Sequence, residues 1–381
     1  MMRSLKEPRR NFLQLTDSLK IGGAEIIAAN VAIGLYERGY RGAVCGIGRD
    51  GELSEILRQK GLKTYWLDQA FGLSPRLMWD IGSLMVKERA GIVLTHHFRQ
   101  LAHSVLPAFA LRRRLVHIEH DYHFYDGNEL LVKRLDSLMR FADALITVSH
   151  DAGIWFHDRL PRHSHKMFVI ENGVDTQRFC ADVQKNSKSR EQYRIPPEAF
   201  VVGTCARLHP IKNLPFLVEG FAAFQKHCPE ARLVIVGEGP ELPVLQERAG
   251  SLGIGEQIIF PGVQSSVEDF LAMFDVYAIT SHNEGLPVSV LEAMSSELPV
   301  ISTRVGALPD VVGPETGMLI EGDDVNGLAA ALRSLYDNKA VAEKKGKAAR
   351  EFVHKRYSLD VMLDRYRDVL DQVRGEGRPR G

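Results

Sequence analysis

Net charge, paired cysteines and long apolar runs are all missing from this chain. The 48 lysines and arginines cancel 48 aspartates and glutamates. No overall field therefore draws the protein to nucleic acid or to an anionic membrane, and an anionic ligand must be held locally. Cysteine is scarce: Cys45, Cys180, Cys205 and Cys228 stand far apart with no C-x-x-C spacing. That argues against a disulfide framework or a zinc ribbon and leaves reduced, buried thiols, with Cys45 and Cys205 inside apolar runs that read as strands. No stretch reaches the roughly 20 apolar residues needed to span a bilayer. The basic start MMRSLKEPRRN runs into a short strand and then polar residues, unlike a signal peptide. The protein is expected in the cytoplasm.

What the chain does contain is the material of a globular protein, 45% hydrophobic and 25% charged over 381 residues. A single core usually stops growing near roughly 250 to 300 residues, so two domains are expected. Short β-branched runs alternate with helical patterns, the mark of parallel sheets built from βαβ units. NFLQL, GAVCGI, KTYWLD, GIVLTHH, RLVHIEH, ALITVS and KMFVIEN give seven strands before residue 172, and VVGTCA, RLVIVG, QIIFPG, VYAITS and PVISTRV give five more after residue 200. Between them residues 176–199 are polar and without apolar period, which predicts a linker. The expected organisation is an α/β fold of two doubly wound, Rossmann-like domains, 1–175 and 200–356, facing across a cleft. A C-terminal helix within 357–381 should bury one face, through Leu359, Met362, Leu363, Tyr366, Val369, Leu370 and Val373, and pack back toward the first domain. In such folds ligands sit beyond the carboxyl ends of the strands.

The residues with chemistry fall at those strand ends. Gly22 and Gly23 follow the first strand at a helix start, where the backbone can approach a phosphate closely. Arg207 and Lys212 follow the first strand of the second domain, where two cations could clamp a diphosphate in place of a divalent metal. After VYAITS comes the segment EGLPVSVLEAM, residues 284–294. It places Glu284 on a loop, Gly285, Leu286 and Pro287 in a turn, and Glu292 about two helical turns on. Two carboxylates there suit the hydroxyls of a ribose and a sugar.

With Arg207, Lys212, the E-x7-E element and the segment VGALPD at residues 305–310, the chain resembles the family 4 glycosyltransferases of GT-B fold. The Gly22-Gly23 loop, Asn172-Gly173-Val174-Asp175 and the C-terminal helix also match. The resemblance implies a retaining transfer from a nucleoside diphosphate sugar, without metal or other cofactor. Arg207 and Lys212 would hold the diphosphate, Glu292 the ribose and Glu284 the transferred sugar, with Gly285, Leu286 and Pro287 beside sugar and phosphate. Val263 would offer backbone groups to the base, and His120 would be the histidine beneath the donor sugar. Asp310 stands where many relatives have Glu. Glu284 is followed by GLP rather than the GFG of many relatives, a version common in enzymes of bacterial surface polysaccharide synthesis, which favours a UDP-sugar donor and a sugar or lipid-linked sugar acceptor.

Other readings attach to particular residues. His96, His97, His103, His117, His120 and His123 crowd one stretch, but no HExxH or other tight ligand spacing occurs, so strand-end packing or acceptor contacts are expected rather than a metal. Residues 105–115 and 131–135 mix apolar and basic side chains, as a solvated helix end does or as a peripheral contact with the inner face of a membrane would require. The fold also hosts nucleotide-sugar 2-epimerases, and a binding subunit without activity would keep the same pocket. The full set of donor-site residues favours a transferase over both.

Overall fold

Successive residues of the short aliphatic runs are buried on opposite faces, as strands enclosed between helices require. In the second half Val201, Val234 and Tyr277 enter one core cluster while Val202, Leu233, Val276 and Ala278 enter another. The computed structural model describes residues 10–375 except 70, 71, 73, 121 and 182. These fall into two compact units, one running to Asn172 and resuming at Asp360, the other Gly173–Leu359.

The first unit holds a seven-stranded parallel sheet of β1 (Asn11–Thr16), β2 (Arg41–Gly46), β3 (Lys63–Trp66), β4 (Ile92–His96), β5 (Arg114–Glu119), β6 (Ala144–Thr147) and β7 (Met167–Val169). Their order is β3-β2-β1-β4-β5-β6-β7. Every strand expected in this half is present. The helix Leu359–Gly375 belongs to this unit and buries Met362, Leu363, Tyr366, Val369, Leu370 and Val373. Its Leu363 fills the space at Gly34, where an added Cβ would fall 2.1 Å from Leu363 Cδ1. Arg38 pairs with Asp360 and Asp364, and Tyr40 donates to Asp371.

The second unit holds β8 (Val201–Cys205), β9 (Arg232–Val236), β10 (Ile258–Gly262), β11 (Val276–Ile279), β12 (Val300–Thr303) and β13 (Gly317–Ile320), in the order β10-β9-β8-β11-β12-β13. β13 was not expected from the sequence. It is four residues long, opens on glycine and pairs only with β12, so its apolar run is too short to show a period.

The segment 176–199 is not the linker its composition suggests. It carries the helix Val183–Gln192 and is part of the second unit. Its anchor is a buried arginine: Arg190 donates to the backbone oxygens of Met273, Pro197 and Ala199 and to the Asp275 carboxylate. Such an anchor satisfies a guanidinium without any apolar stripe, which is why hydrophobic periodicity missed it.

In both sheets the chain reverses its direction of growth once, between β1 and β4 and between β8 and β11. Those are the switch points where doubly wound sheets bind ligands.

Candidate functional site

At the second unit's switch point β8 leads into a loop, the short 3-10 turn Pro210–Lys212 and the helix Leu214–Gln225. Asn213 joins turn to helix in the left-handed conformation, φ 47°. The loop after β11 is tied to this one: Thr280 Oγ1 donates to the Lys212 and Asn213 carbonyls, and the His282 amide donates to the Ile211 carbonyl. These bonds bring Lys212 to Glu284, with Nζ 2.6 Å from Oε1, while Ser281 Oγ donates to the same oxygen at 2.5 Å. The Glu284 side chain is only 9% exposed.

Gly306 closes the site from the β12 side. Its φ is 50°, and a Cβ there would fall 1.6 Å from the Glu284 carbonyl oxygen. Only glycine lets the two backbones meet so closely. The side chain of Leu286 is buried in the core, leaving its backbone as the part a ligand could touch. Gly285 is exposed and Pro287 half-buried. Pro287 is the N-cap of the helix Val288–Ser295, and no side chain caps its first turn, so the amides there have no side-chain acceptor.

Arg207 is exposed, and its guanidinium has no hydrogen-bond or ion-pair partner among the described residues. It leaves the carboxyl end of β8 and is not drawn into the Lys212–Glu284 pair. Val263 is 64% exposed beyond β10, two strands from β8. Asp310 is exposed on the short helix Leu308–Val311.

Glu292 lies in a separate environment. Burial lifts its carboxyl to about 7; Arg178 opposes the rise and Glu268 adds to it. Arg178 is itself engaged with Glu268 at 2.8 Å, and its opposing charge does not offset the burial of Glu292. Glu292 also helps raise the Cys205 thiol, after burial, which places its charge near the end of β8. A diol donating two hydrogen bonds to this carboxyl would favour its ionised form and so offset the burial.

In the first unit Gly22 caps the helix Gly23–Glu37 without a side-chain bond. The Glu25 carboxylate folds back over it, with Oε2 only 2.4 Å from where a Gly22 Cβ would stand. That helix end therefore carries its own anion.

The histidines converge where β4 and β5 end. Parallel pairing sets Thr95 beside His117 and His96 beside Ile118, and brings four imidazoles around Glu119. Glu119 is 1% exposed. It accepts from Tyr125 Oη at 2.5 Å and from the His120 amide at 3.1 Å, and stands 3.3 Å from His97 Nδ1 and 3.4 Å from His117 Nε2. Burial alone would raise this carboxyl, but the His97 hydrogen bond and the charges of His117 and His97 take it well below the usual carboxylate range. His97 is raised: burial pulls it down, and the Glu119 carboxylate outweighs that. His120 is lowered to about 3, first by burial and then by His97.

Sequence spacing showed the histidines were dense but not that they meet, because register across two strands decides it. Glu119 went unnoticed for the same reason. Among the described residues no group of three or more His, Cys, Asp or Glu is placed to hold a metal ion; the side chain of His123 lies outside the described part. Among the described residues, too, no helix is long and apolar enough to cross a membrane.

The description Glycosyl transferases group 1 matches residues 185–352, and Glycosyltransferase Family 4 matches residues 21–178. N-acetyl-alpha-D-glucosaminyl L-malate synthase of Bacillus anthracis is 26% identical over 244 residues, 63% of this chain and 63% of that protein. A GDP-mannose-dependent alpha-(1-6)-phosphatidylinositol monomannoside mannosyltransferase of Mycolicibacterium smegmatis is 32% identical over 190 residues, 47% of this chain and 50% of that protein. The chain thus spans between half and 63% of the length of these two relatives. In structure, HepE of Anabaena in complex with UDP superposes with a TM-score of 0.83 at 22% identity over 95% of this chain and 100% of that one. A glycosyltransferase of Rickettsia africae gives 0.85 at 19% identity over 97% and 100%. The fold is GT-B, two Rossmann-like units.

Proposed function

We infer, from the premise that this chain belongs to the family 4 glycosyltransferases, that it transfers a sugar with retention of configuration from a nucleoside diphosphate to an acceptor hydroxyl. The observation that carries this reading is the Lys212–Glu284 pair, held at the switch point, with Arg207 on the same loop exposed and unpaired among the described residues. Arg207 and Lys212 receive the diphosphate and offset the charge that grows on it as it leaves. Glu284 faces the transferred sugar and Glu292 the ribose, with the amides at Gly285 to Pro287 and the backbone at Val263 completing the donor contacts. Gly22 and Gly23 are the phosphate contacts assigned in the first unit, at a helix end that Glu25 covers. His120 acts on the sugar.

As the bond from the anomeric carbon to the diphosphate oxygen breaks, the acceptor oxygen arrives from the same face. The departing phosphate oxygen takes the acceptor's proton, so no carboxylate nucleophile is needed. The two cations supply the charge that a divalent ion supplies in other transferases.

A UDP-sugar is the favoured donor, on the GLP sequence after Glu284. The acceptor is a sugar or a lipid-linked sugar of bacterial polysaccharide or glycolipid synthesis. Leu106 and Phe109, 63% and 57% exposed, stand with Phe141 beside exposed Arg112 and Arg140. That surface supports peripheral contact with an anionic membrane.

A melting panel of UDP-, GDP- and ADP-sugars tests the donor, since a ligand bound only by the native state raises its melting temperature. The UDP-sugars should stand out; a rise confined to GDP-sugars overturns that part. Slow release of free sugar from the donor without acceptor separates a transferase from a binding subunit, which would release none.

A further inference from the structure

Within the histidine group His96 has no task assigned. It is 1% exposed. Its Nδ1 lies 2.7 Å from His120 Nε2, and the two rings stack with centroids 5.1 Å apart at 20°. Its other nitrogen, Nε2, is buried with no hydrogen-bond partner among the described residues. A buried polar atom left unmet costs free energy that an apolar residue of the same shape would not incur, so packing alone does not explain a histidine here.

The contact between the two rings holds a single proton when both are neutral. Both are pushed toward neutrality, by burial first and then by their neighbours: His97 and His117 press both down, and Glu119 alone pulls the other way. Among the described residues these are the charged and titratable groups that face the pair. If His120 were the donor, the His96 proton would sit on Nε2, an orphaned N–H in the core. If His96 donates from Nδ1, its Nε2 carries only an unmet lone pair. Orphaned buried N–H groups are the rarer of the two, so His96 donates and the His120 proton resides on Nδ1.

We propose that His96 is a positioning residue for the transfer: its Nδ1–H, given to His120 Nε2, holds His120 in the tautomer that offers Nδ1–H to a substrate oxygen. His120 then serves the reaction as a hydrogen-bond donor and not as a base. This rests on the assignment of His120 to the reaction made above.

Long-range proton–nitrogen correlation spectra of histidine-labelled protein, with His120 assigned by loss of its signals in His120→Gln, read the tautomer directly. The wild type should show the Nδ1–H form throughout roughly pH 6 to 8, the window in which an ordinary imidazole titrates. An Nε2–H form or an imidazolium overturns the proposal. A second arm measures release of nucleoside diphosphate from the donor that the melting panel selects. His96→Phe keeps a ring without a donor and should lower kcat about tenfold, the value of one neutral hydrogen bond, with the donor KM nearly unchanged. His96→Asn places an amide N–H where Nδ1–H stood and should restore most of the rate. Equal losses in both variants that follow their melting temperatures mean a packing role and overturn the proposal. If His96→Phe does not fold, the spectra of the wild type still decide. If His120→Gln itself keeps a rate within a few-fold of wild type, the assignment of His120 has failed, whatever its tautomer.

Discussion

Lys212 Nζ and Glu284 Oε1 stand 2.6 Å apart, joining the loops that follow β8 and β11. The pair makes the intended phosphate ligand and the intended sugar ligand one electrostatic unit, so substitutions at the two should not be additive. Lys212→Ala should lower turnover by about a hundredfold or more, as expected for loss of one charge-stabilising donor. It also leaves a nearly buried carboxylate with Ser281 as its remaining side-chain partner. Lys212→Ala/Glu284→Gln should therefore lose less stability than the two single variants summed. Chemical denaturation of all three, beside their kcat values, checks both statements; strict additivity would mean that the ion pair does not persist in solution.

Glu292 gives a pH dependence with a definite sign. Its folded carboxyl is raised from the ordinary 4.5 to about 7. The stability it lends is then fully present below pH 4.5 and is lost as pH rises through about 7, at about 1.4 kcal/mol per unit of difference. Glu292→Gln, which cannot ionise, should melt a few degrees higher than wild type at alkaline pH and close to it in acid. Thermal melts of both proteins without nucleotide, across that range, decide. A variant less stable at alkaline pH would show that the carboxylate is compensated in a way the Arg178–Glu268 pair does not suggest.

Activity should survive EDTA, because the proposed route gives leaving-group stabilisation to Arg207 and Lys212. Complete loss of product in EDTA, restored by magnesium or manganese, would contradict it.

The parts of the protein that sequence alone made legible are those with a local signature. Strands buried on both faces read as plain aliphatic runs, and the donor-site residues read as motifs because each lies within a dozen positions of its loop. What was not legible depends on partners far along the chain. β13 is a strand only because β12 lies beside it. Residues 176–199 are held in place because Arg190 finds Met273 and Asp275 and because Phe179, Ile195 and Ala199 enter the second unit's core. Gly306 has its meaning from Glu284, 22 positions earlier, and Glu119 becomes the centre of the histidine group through the pairing of β4 with β5.

The two glutamates of the E-x7-E element should separate kinetically. Glu292 lies near the end of β8 among Arg178, Glu268 and Cys205, and its assigned partner, the ribose, does not change during reaction. Its loss should weaken ground state and transition state alike, raising the donor KM with little change in kcat. Glu284 is bonded to the Lys212 ammonium, which is assigned to the leaving diphosphate, and is itself assigned to the ring that becomes cationic, so Glu284→Gln should lower kcat more than it raises KM. Steady-state kinetics of both variants, paired with calorimetric binding of the free nucleoside diphosphate, make the comparison. If Glu284→Gln lost nucleoside diphosphate affinity while Glu292→Gln kept it, the roles would be exchanged. The register of the donor along the β8 and β11 loops would then have to be reversed.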